Sequence, residues 1–265
     1  MRLGFIGTGT IVEAMVTGLC GAASEAPSII LSPRNANVAA SLATTFPAVS
    51  VAASNQDVLD GSDVVVIAVR PQIVREVLAE LRFETRHHVI SVVSLLSLEE
   101  LRQQVMPACT VVRAVPLPSA AKRRSPTVVY PDDSVARELF SRMGTEFAAA
   151  TEAEFEALCT VSATMASQFA FEEAIASWLL RQGVSAEKAR GLVGEMFFGL
   201  AHTTVEQPNR EFRALALDHA TRGGLNEQME RHLRDCGVFE AVIKGLDAVL
   251  ERYRTNAGKY TAEPS

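Results

Sequence analysis

Gly7-Thr8-Gly9-Thr10-Ile11-Val12 follows a short apolar run and opens a stretch with helical periodicity. Glycine at the first two positions permits a tight turn and close approach of backbone to ligand. A pyrophosphate placed there meets the positive end of a helix. The third position of the usual G-x-G-x-x-G/A pattern holds Val12, a bulkier helix contact. A second apolar run ends at Ser32-Pro33-Arg34-Asn35, where a carboxylate would bind the ribose hydroxyls of NAD. Here Ser32 can donate a hydrogen bond to the extra phosphate of NADP, and Arg34 can pair with it in a forked geometry. NADP, as NADPH, is therefore the expected cofactor. Gly7, Gly9, Thr10, Ile11, Val12, Ser32 and Arg34 are its expected contacts, and reduction is the chemistry it would serve.

The elements that must position these residues alternate. Strands are expected at 2–7, 28–31, 49–52, 63–69, 88–93, 110–114 and 126–130, and helices at 11–19, 37–44, 55–59, 71–81 and 98–105. Asp63 to Val69 is nearly all apolar and β-branched, as in a strand covered on both faces. Ser97 with Glu100 reads as a capping box for the helix that follows. Such alternation argues for a parallel sheet with right-handed crossovers. Near Thr151 the pattern changes to long helices, at 154–182, 185–207 and 238–254, with no strand signal between them. The reading is a Rossmann-type, doubly wound α/β domain with a mostly parallel sheet over 1–151, followed by an all-α helical dimerisation domain over 152–254. A frayed tail is expected over 255–265.

Composition bounds the rest. The 265 residues are 48% hydrophobic with a formal net charge of −6, so a broad positive field for nucleic acid is missing. Cys20, Cys109, Cys159 and Cys236 lie far apart with no C-x-x-C pair, which fits free thiols in a reducing compartment. No run approaches the roughly 20 apolar residues that span a bilayer. A cytoplasmic protein with a small-molecule substrate, without metal, membrane or nucleic-acid partner, is expected. His87-His88 lacks a third ligand at metal spacing. His219, Lys122-Arg123-Arg124 and Glu172-Glu173 read as packing or solvated surface. Phe169, Phe171, Trp178, Met196, Phe197 and Phe198 are more large apolar residues than two or three helices can bury alone, which favours a homodimer through these helices, or a larger homo-oligomer.

Taken together, the motifs resemble those of the pyrroline-5-carboxylate reductases. The family's opening is similar to Gly7 through Met15, with its Glu-Ala pair at Glu13-Ala14. Ala68-Val69-Arg70-Pro71-Gln72 resembles its Ala-Val-Lys-Pro-Gln, and Val112-Arg113-Ala114-Val115-Pro116 its Arg-x-Met-Pro segment. Ile90-Ser91 with Ser97-Leu98 resembles its next strand and helix entry, and Gly223-Gly224 falls where the family has a Ser-Pro-Gly-Gly-Thr-Thr substrate loop. The resemblance covers about residues 1–254. It implies hydride transfer from NAD(P)H to the C=N bond of a cyclic imine acid, giving proline or a related cyclic amino acid. It also implies pairing through the helical domain and an active site between the two domains near that interface. Ala68, Val69, Arg70 and Pro71 join the expected cofactor contacts on this ground.

Three segments depart from the family's pattern. Met-Pro-Asn-Thr-Pro-Ala becomes Val115-Pro116-Leu117-Pro118-Ser119-Ala120, and Ser-Gly-Ser-Gly-Pro-Ala-Tyr becomes Ser162-Ala163-Thr164-Met165-Ala166-Ser167-Gln168. The substrate loop reads Thr221-Arg222-Gly223-Gly224-Leu225-Asn226, with leucine for one threonine. Backbone N–H groups around paired glycines still suit a carboxylate. Arg222, Gly223, Gly224 and Asn226 are the expected substrate contacts. Thr221 is the first choice for a hydrogen bond to the substrate, followed by Ser162 and Thr164. The structural alternative is a helix–turn–helix whose glycines serve only as a cap. Two other functions stay open: reduction of a different imine or keto acid, and a non-catalytic NADP-binding regulator that kept the fold.

Overall fold

The computed structural model describes residues 2–21, 26–94 and 96–256. In the first part β1 (Arg2–Ile6), α1 (Thr10–Cys20), β2 (Ser28–Leu31), α2 (Ala36–Thr45), β3 (Val49–Val51), α3 (Asn55–Asp60) and β4 (Val64–Ile67) follow in turn. Next come a 3-10 turn at Pro71–Ile73, α4 (Val74–Ala79), β5 (His88–Ser91), α5 (Leu98–Gln104) and β6 (Thr110–Val115). A 3-10 turn at Pro118–Lys122, β7 (Ser125–Tyr130), α6 (Ser134–Ser141), β8 (Gly144–Ala148) and α7 (Glu152–Thr160) complete this part. The helical part holds a 3-10 turn at Val161–Thr164, α8 (Met165–Arg181), α9 (Ala186–Glu206), α10 (Phe212–His219), α11 (Leu225–Asp235) and α12 (Val238–Asn256).

The eight strands form one sheet in the order β3-β2-β1-β4-β5-β6-β7-β8. β1 pairs in parallel with both β2 and β4, so the chain reverses its winding direction at β1 and leaves a crevice at the strand ends there. All four residues of β4 are buried, as a strand covered on both faces must be. One apolar cluster gathers Leu3, Phe5, Val12, Met15, Val66 and Phe140, and a second gathers Ile6, Val65, Ile67, Val77 and Leu101. Ser97 accepts from the Glu100 N–H at 3.2 Å and so caps α5, while the Glu100 carboxylate pairs with Arg75.

The sheet is mostly parallel, as expected, and strand direction reverses at one place. β7 runs antiparallel to β6. The connection between Val115 and Ser125 is shorter than the dozen or so residues that a parallel crossover requires. α6 then provides such a crossover, and β8 lies parallel to β7. Neither α6 nor β8 was expected. The long helix expected over 154–182 is instead broken between α7 and α8. Around the break the Thr160 hydroxyl donates to the Glu156 carbonyl and the Thr164 hydroxyl to the Val161 carbonyl, back-bonding that bends helices. α4 is shorter than expected, because Pro71 opens a 3-10 turn. In the expected tail, Thr255 and Asn256 continue α12, and 257–265 lie outside the described residues.

The chain divides into two compact units, residues 1–160 with 250–265 and residues 161–249. In the first unit, Phe155 and Cys159 of α7 and Tyr253 of α12 bury against Ala149. In the second, α8 and α9 meet with Phe171 edge-on to Phe197 at 5.9 Å. Among its described residues only Ala189 and Val193 are buried. Phe169 (71% exposed), Phe198 (66%) and Phe212 (76%) face outward.

Candidate functional site

The glycine turn, the end of β2 and the end of β4 meet at the carboxyl edge of the sheet. Gly7 takes φ +96°, and a Cβ there would lie 2.7 Å from the Ala68 carbonyl oxygen, so only glycine lets the β1 and β4 ends approach this closely. The Gly7 N–H donates to Ser32 Oγ at 3.1 Å, and the Thr8 hydroxyl donates to the Ser32 carbonyl at 2.9 Å. Asn35, left-handed at φ 62°, donates from Nδ2 to the Thr8 carbonyl at 3.1 Å. These bonds fasten the turn to the loop after β2.

Gly9 behaves differently. It is the N-cap of α1 in an extended conformation, φ −100° and ψ −173°, and a Cβ there would meet nothing within 4 Å. Internal packing therefore does not demand glycine at this position. Thr10, which follows it, is exposed, and the first amides of a helix lack intrahelical partners. A diphosphate group suits those amides and the positive helix end in charge and hydrogen bonding. Arg34 is exposed beside it and makes no ion pair among the described residues. Ser32 is fully buried with its hydroxyl turned inward onto Gly7 and Thr8. Its place is thus within the loop scaffold rather than on the open phosphate side where the sequence reading set it. Val69 is buried, Ala68 and Pro71 are half-buried, and Arg70 is exposed. Thr8 and Asn35 were overlooked as scaffold. An asparagine after Pro-Arg at a strand end was the available signal, since asparagine tolerates the left-handed region.

In the helical unit, α10 and α11 flank the glycine pair. Gly223 takes φ +75°, Gly224 is the N-cap of α11, and the Gly224 N–H donates to the Thr221 carbonyl at 2.8 Å. The Gly223 N–H donates to Glu227 Oε2 at 2.6 Å, so one of the amides expected to hold a substrate carboxylate already holds a carboxylate of this chain. Thr221, Arg222, Gly223 and Asn226 are exposed, and Ser162 and Thr164 are half-buried. Thr164 lines a groove with Gln168, Phe171, Phe239 and Val242, whereas Asn226 lines another with Phe212, Leu217 and His219. Among the described residues no group of three or more His, Cys, Asp or Glu is placed to hold a metal ion.

Comparison with known proteins agrees with both halves. Residues 2–95 match the family model described as NADP oxidoreductase coenzyme F420-dependent, and residues 152–256 match that described as pyrroline-5-carboxylate reductase dimerisation. The pyrroline-5-carboxylate reductase of Vibrio alginolyticus is 25% identical over 261 residues, covering 95% of this chain and 96% of that protein. The crystal structure of 1-pyrroline-5-carboxylate reductase from Streptococcus pyogenes superposes with a TM-score of 0.83 at 22% identity, over 96% of this chain and 98% of that one. The Plasmodium falciparum pyrroline carboxylate reductase, solved with NADP bound, gives 0.83 at 18% identity over 97% and 98%. The fold, the paired family matches in chain order and the end-to-end similarity agree: the chain is similar over nearly its whole length to pyrroline-5-carboxylate reductases, and its residues 152–256 match their dimerisation domain.

Proposed function

We propose that the protein is an NADPH-dependent reductase of a cyclic imine acid, of the pyrroline-5-carboxylate type. The observation that carries this reading is the glycine turn, with free space at Gly9, tied at Gly7 and Thr8 to the loop after β2 that bears an exposed Arg34 where a carboxylate would be needed to favour NAD. The amides of Thr10, Ile11 and Val12 would hold the diphosphate, Arg34 the additional phosphate, and Ala68 to Pro71 the nucleotide's far side. NADPH, when bound, supplies the hydride. The chain's own task is then to position a protonated C=N bond and exclude water, because an iminium accepts hydride without a strong acid. Thr221, Ser162 and Thr164 would hydrogen-bond the substrate nitrogen or carboxylate, and Arg222, Gly223, Gly224 and Asn226 would receive the carboxylate.

Assembly as a homodimer through the helical unit is part of the same proposal. Its support is the apolar surface of α8 and α9, where Phe169, Trp178, Leu192, Met196 and Phe198 stand exposed on the protomer. None of the four cysteines is in a disulfide, in keeping with a cytoplasmic location. The test is oxidation of NADPH, followed by its absorbance, with pyrroline-5-carboxylate and its six-membered analogue. Turnover with either is expected. Binding of NADPH without turnover of any imine would instead indicate a cofactor-binding regulator.

A further inference from the structure

Strand order assigns the two halves of a dinucleotide to different parts of the carboxyl edge. In a doubly wound sheet one mononucleotide lies over each half of the sheet, divided where the winding reverses. Here β3-β2-β1 lies to one side of that point and β4-β5-β6 to the other. On the functional reading above, Arg34 after β2 takes the adenosine half, so the nicotinamide half falls to the chain that follows β4 and β5. The ends of these strands adjoin the glycine turn in a row. The Ala68 N–H donates to the Ile6 carbonyl at 2.8 Å, and the Val92 N–H to the Ile67 carbonyl at 2.9 Å.

A buried cation lies under this part of the edge. Arg113 of β6 stands in register with Ser91 of β5, one residue short of Val92, and is only 2% exposed. Val112 and Ala114 on either side of it join the apolar cluster of α1, and Arg113 points to the opposite face. There one guanidinium nitrogen donates to Glu152 Oε1 at 2.6 Å and another to the Tyr253 hydroxyl at 3.0 Å. The guanidinium carbon stands 4.5 Å from the centre of the Phe155 ring. The same Glu152 oxygen accepts the N–H of Leu98, the first residue of α5, at 2.9 Å. Glu100 of α5 in turn pairs with Arg75 of α4, just after the 3-10 turn that Pro71 opens. All of these residues belong to the first unit.

Stability alone does not account for the buried cation. Desolvating an ion pair offsets most of its attraction, and well-packed apolar side chains at such sites commonly hold a fold as firmly. Nε of Arg113 is moreover buried without a hydrogen-bond partner, a further cost. What the guanidinium adds is direction: a planar fork fixes the angle of each partner, which apolar contact does not. We propose that Arg113 and Glu152 form a positioning pair that fixes the head of α5, and with it the part of the carboxyl edge that receives the nicotinamide half of NADPH. The inference rests on the nucleotide lying at the glycine turn.

The test is calorimetric titration of the full-length protein with two ligands, NADPH and adenosine 2′,5′-bisphosphate. The second carries the adenosine half with its extra phosphate and no nicotinamide. In Glu152→Ala and Arg113→Met the Kd for NADPH is expected to rise about 5-fold or more, while that for the bisphosphate stays within about 2-fold of the parent. Glu152→Gln keeps an acceptor oxygen for the Leu98 amide and retains the parent's NADPH affinity within about 2-fold. A pair with a merely structural role would weaken both ligands alike when broken. Tyr253→Phe deletes one hydroxyl and keeps the packing, so it decides the matter even where the stronger variants do not fold: NADPH alone weakens, by about 3-fold. Equal losses of the two ligands, or no loss of NADPH, in the variants that fold overturn the pair's role and leave the functional reading standing. A parent that binds neither ligand overturns the functional reading, and the inference with it.

Discussion

Replacing Gly9 with alanine separates what the fold requires from what a bound nucleotide requires. The residue is extended, and a methyl there meets no atom within 4 Å. Removing glycine from the unfolded ensemble stabilises the native state by about 0.4–1 kcal/mol. Against this, glycine is a better N-cap than alanine by roughly 0.5–1 kcal/mol. The two effects nearly cancel, so the melting temperature of Gly9→Ala without cofactor stays within about 2 °C of the parent. The same methyl stands where the diphosphate would meet the helix amides. Losing one charge-assisted hydrogen bond there costs about 1.5–3 kcal/mol, a roughly 10- to 150-fold weaker Kd. At a concentration about 100 times the parent's Kd, NADPH stabilises the parent by about 2.7 kcal/mol, and a variant weakened about 100-fold by only about 0.4 kcal/mol. Thermal scans with and without NADPH, together with calorimetric titration, give both quantities. Equal NADPH stabilisation of parent and variant, or a cofactor-free variant weakened by several kcal/mol, would refute the assignment of this space to the nucleotide. Gly7→Ala supplies the contrast. With φ +96° and a Cβ 2.7 Å from the Ala68 carbonyl oxygen, it should lose about 1–3 kcal/mol of stability before any ligand is added.

Arg34→Met should weaken NADPH about 10-fold while leaving NADH unchanged, because the side chain is exposed and its pairing with phosphate is partly screened; equal loss for both cofactors in titration would remove the proposed role. Glu227→Gln takes the carboxylate charge away from the Gly223 N–H and should lower the KM for the imine acid about 5-fold without touching that for NADPH. An unchanged or raised KM would place the substrate carboxylate elsewhere. His87, 1% exposed, is held below the usual histidine range by burial first and by the charge of Arg86 second. Because its folded-state pKa is depressed, its neutral form contributes stability above the unfolded value of about 6.5, and this is lost as pH falls below it. The melting temperature should therefore drop as pH falls below about 6.5, and less so in His87→Phe; identical acid limbs would show that another group controls the transition.

The nucleotide-binding half is legible in sequence because its signals are local. A short apolar run, two glycines and a helical period sit within a few residues of one another, and Val64 to Ile67 announces burial on both faces by composition alone. The missing carboxylate after β2 is likewise read directly from Ser32-Pro33-Arg34. Other features depend on distance in space. Whether Ser32 reaches outward or inward is decided by the Gly7 amide, 25 residues away, which captures its hydroxyl. The reversal of β7 follows from a connector too short to cross the sheet, and the break between α7 and α8 from hydroxyls that bond back to carbonyls, both weak signals in sequence. The occupation of the Gly223 amide by Glu227 changes the charge at the loop expected to bind substrate without altering the glycine pair that marks it. Arg113 and Tyr253 are 140 positions apart, and only tertiary packing brings an arginine in an apolar strand onto that hydroxyl. Spacing along the chain records which backbone shapes are available; which polar groups meet, and which are left facing solvent, is set by burial, where each buried charge or amide must find its partner wherever the fold brings one.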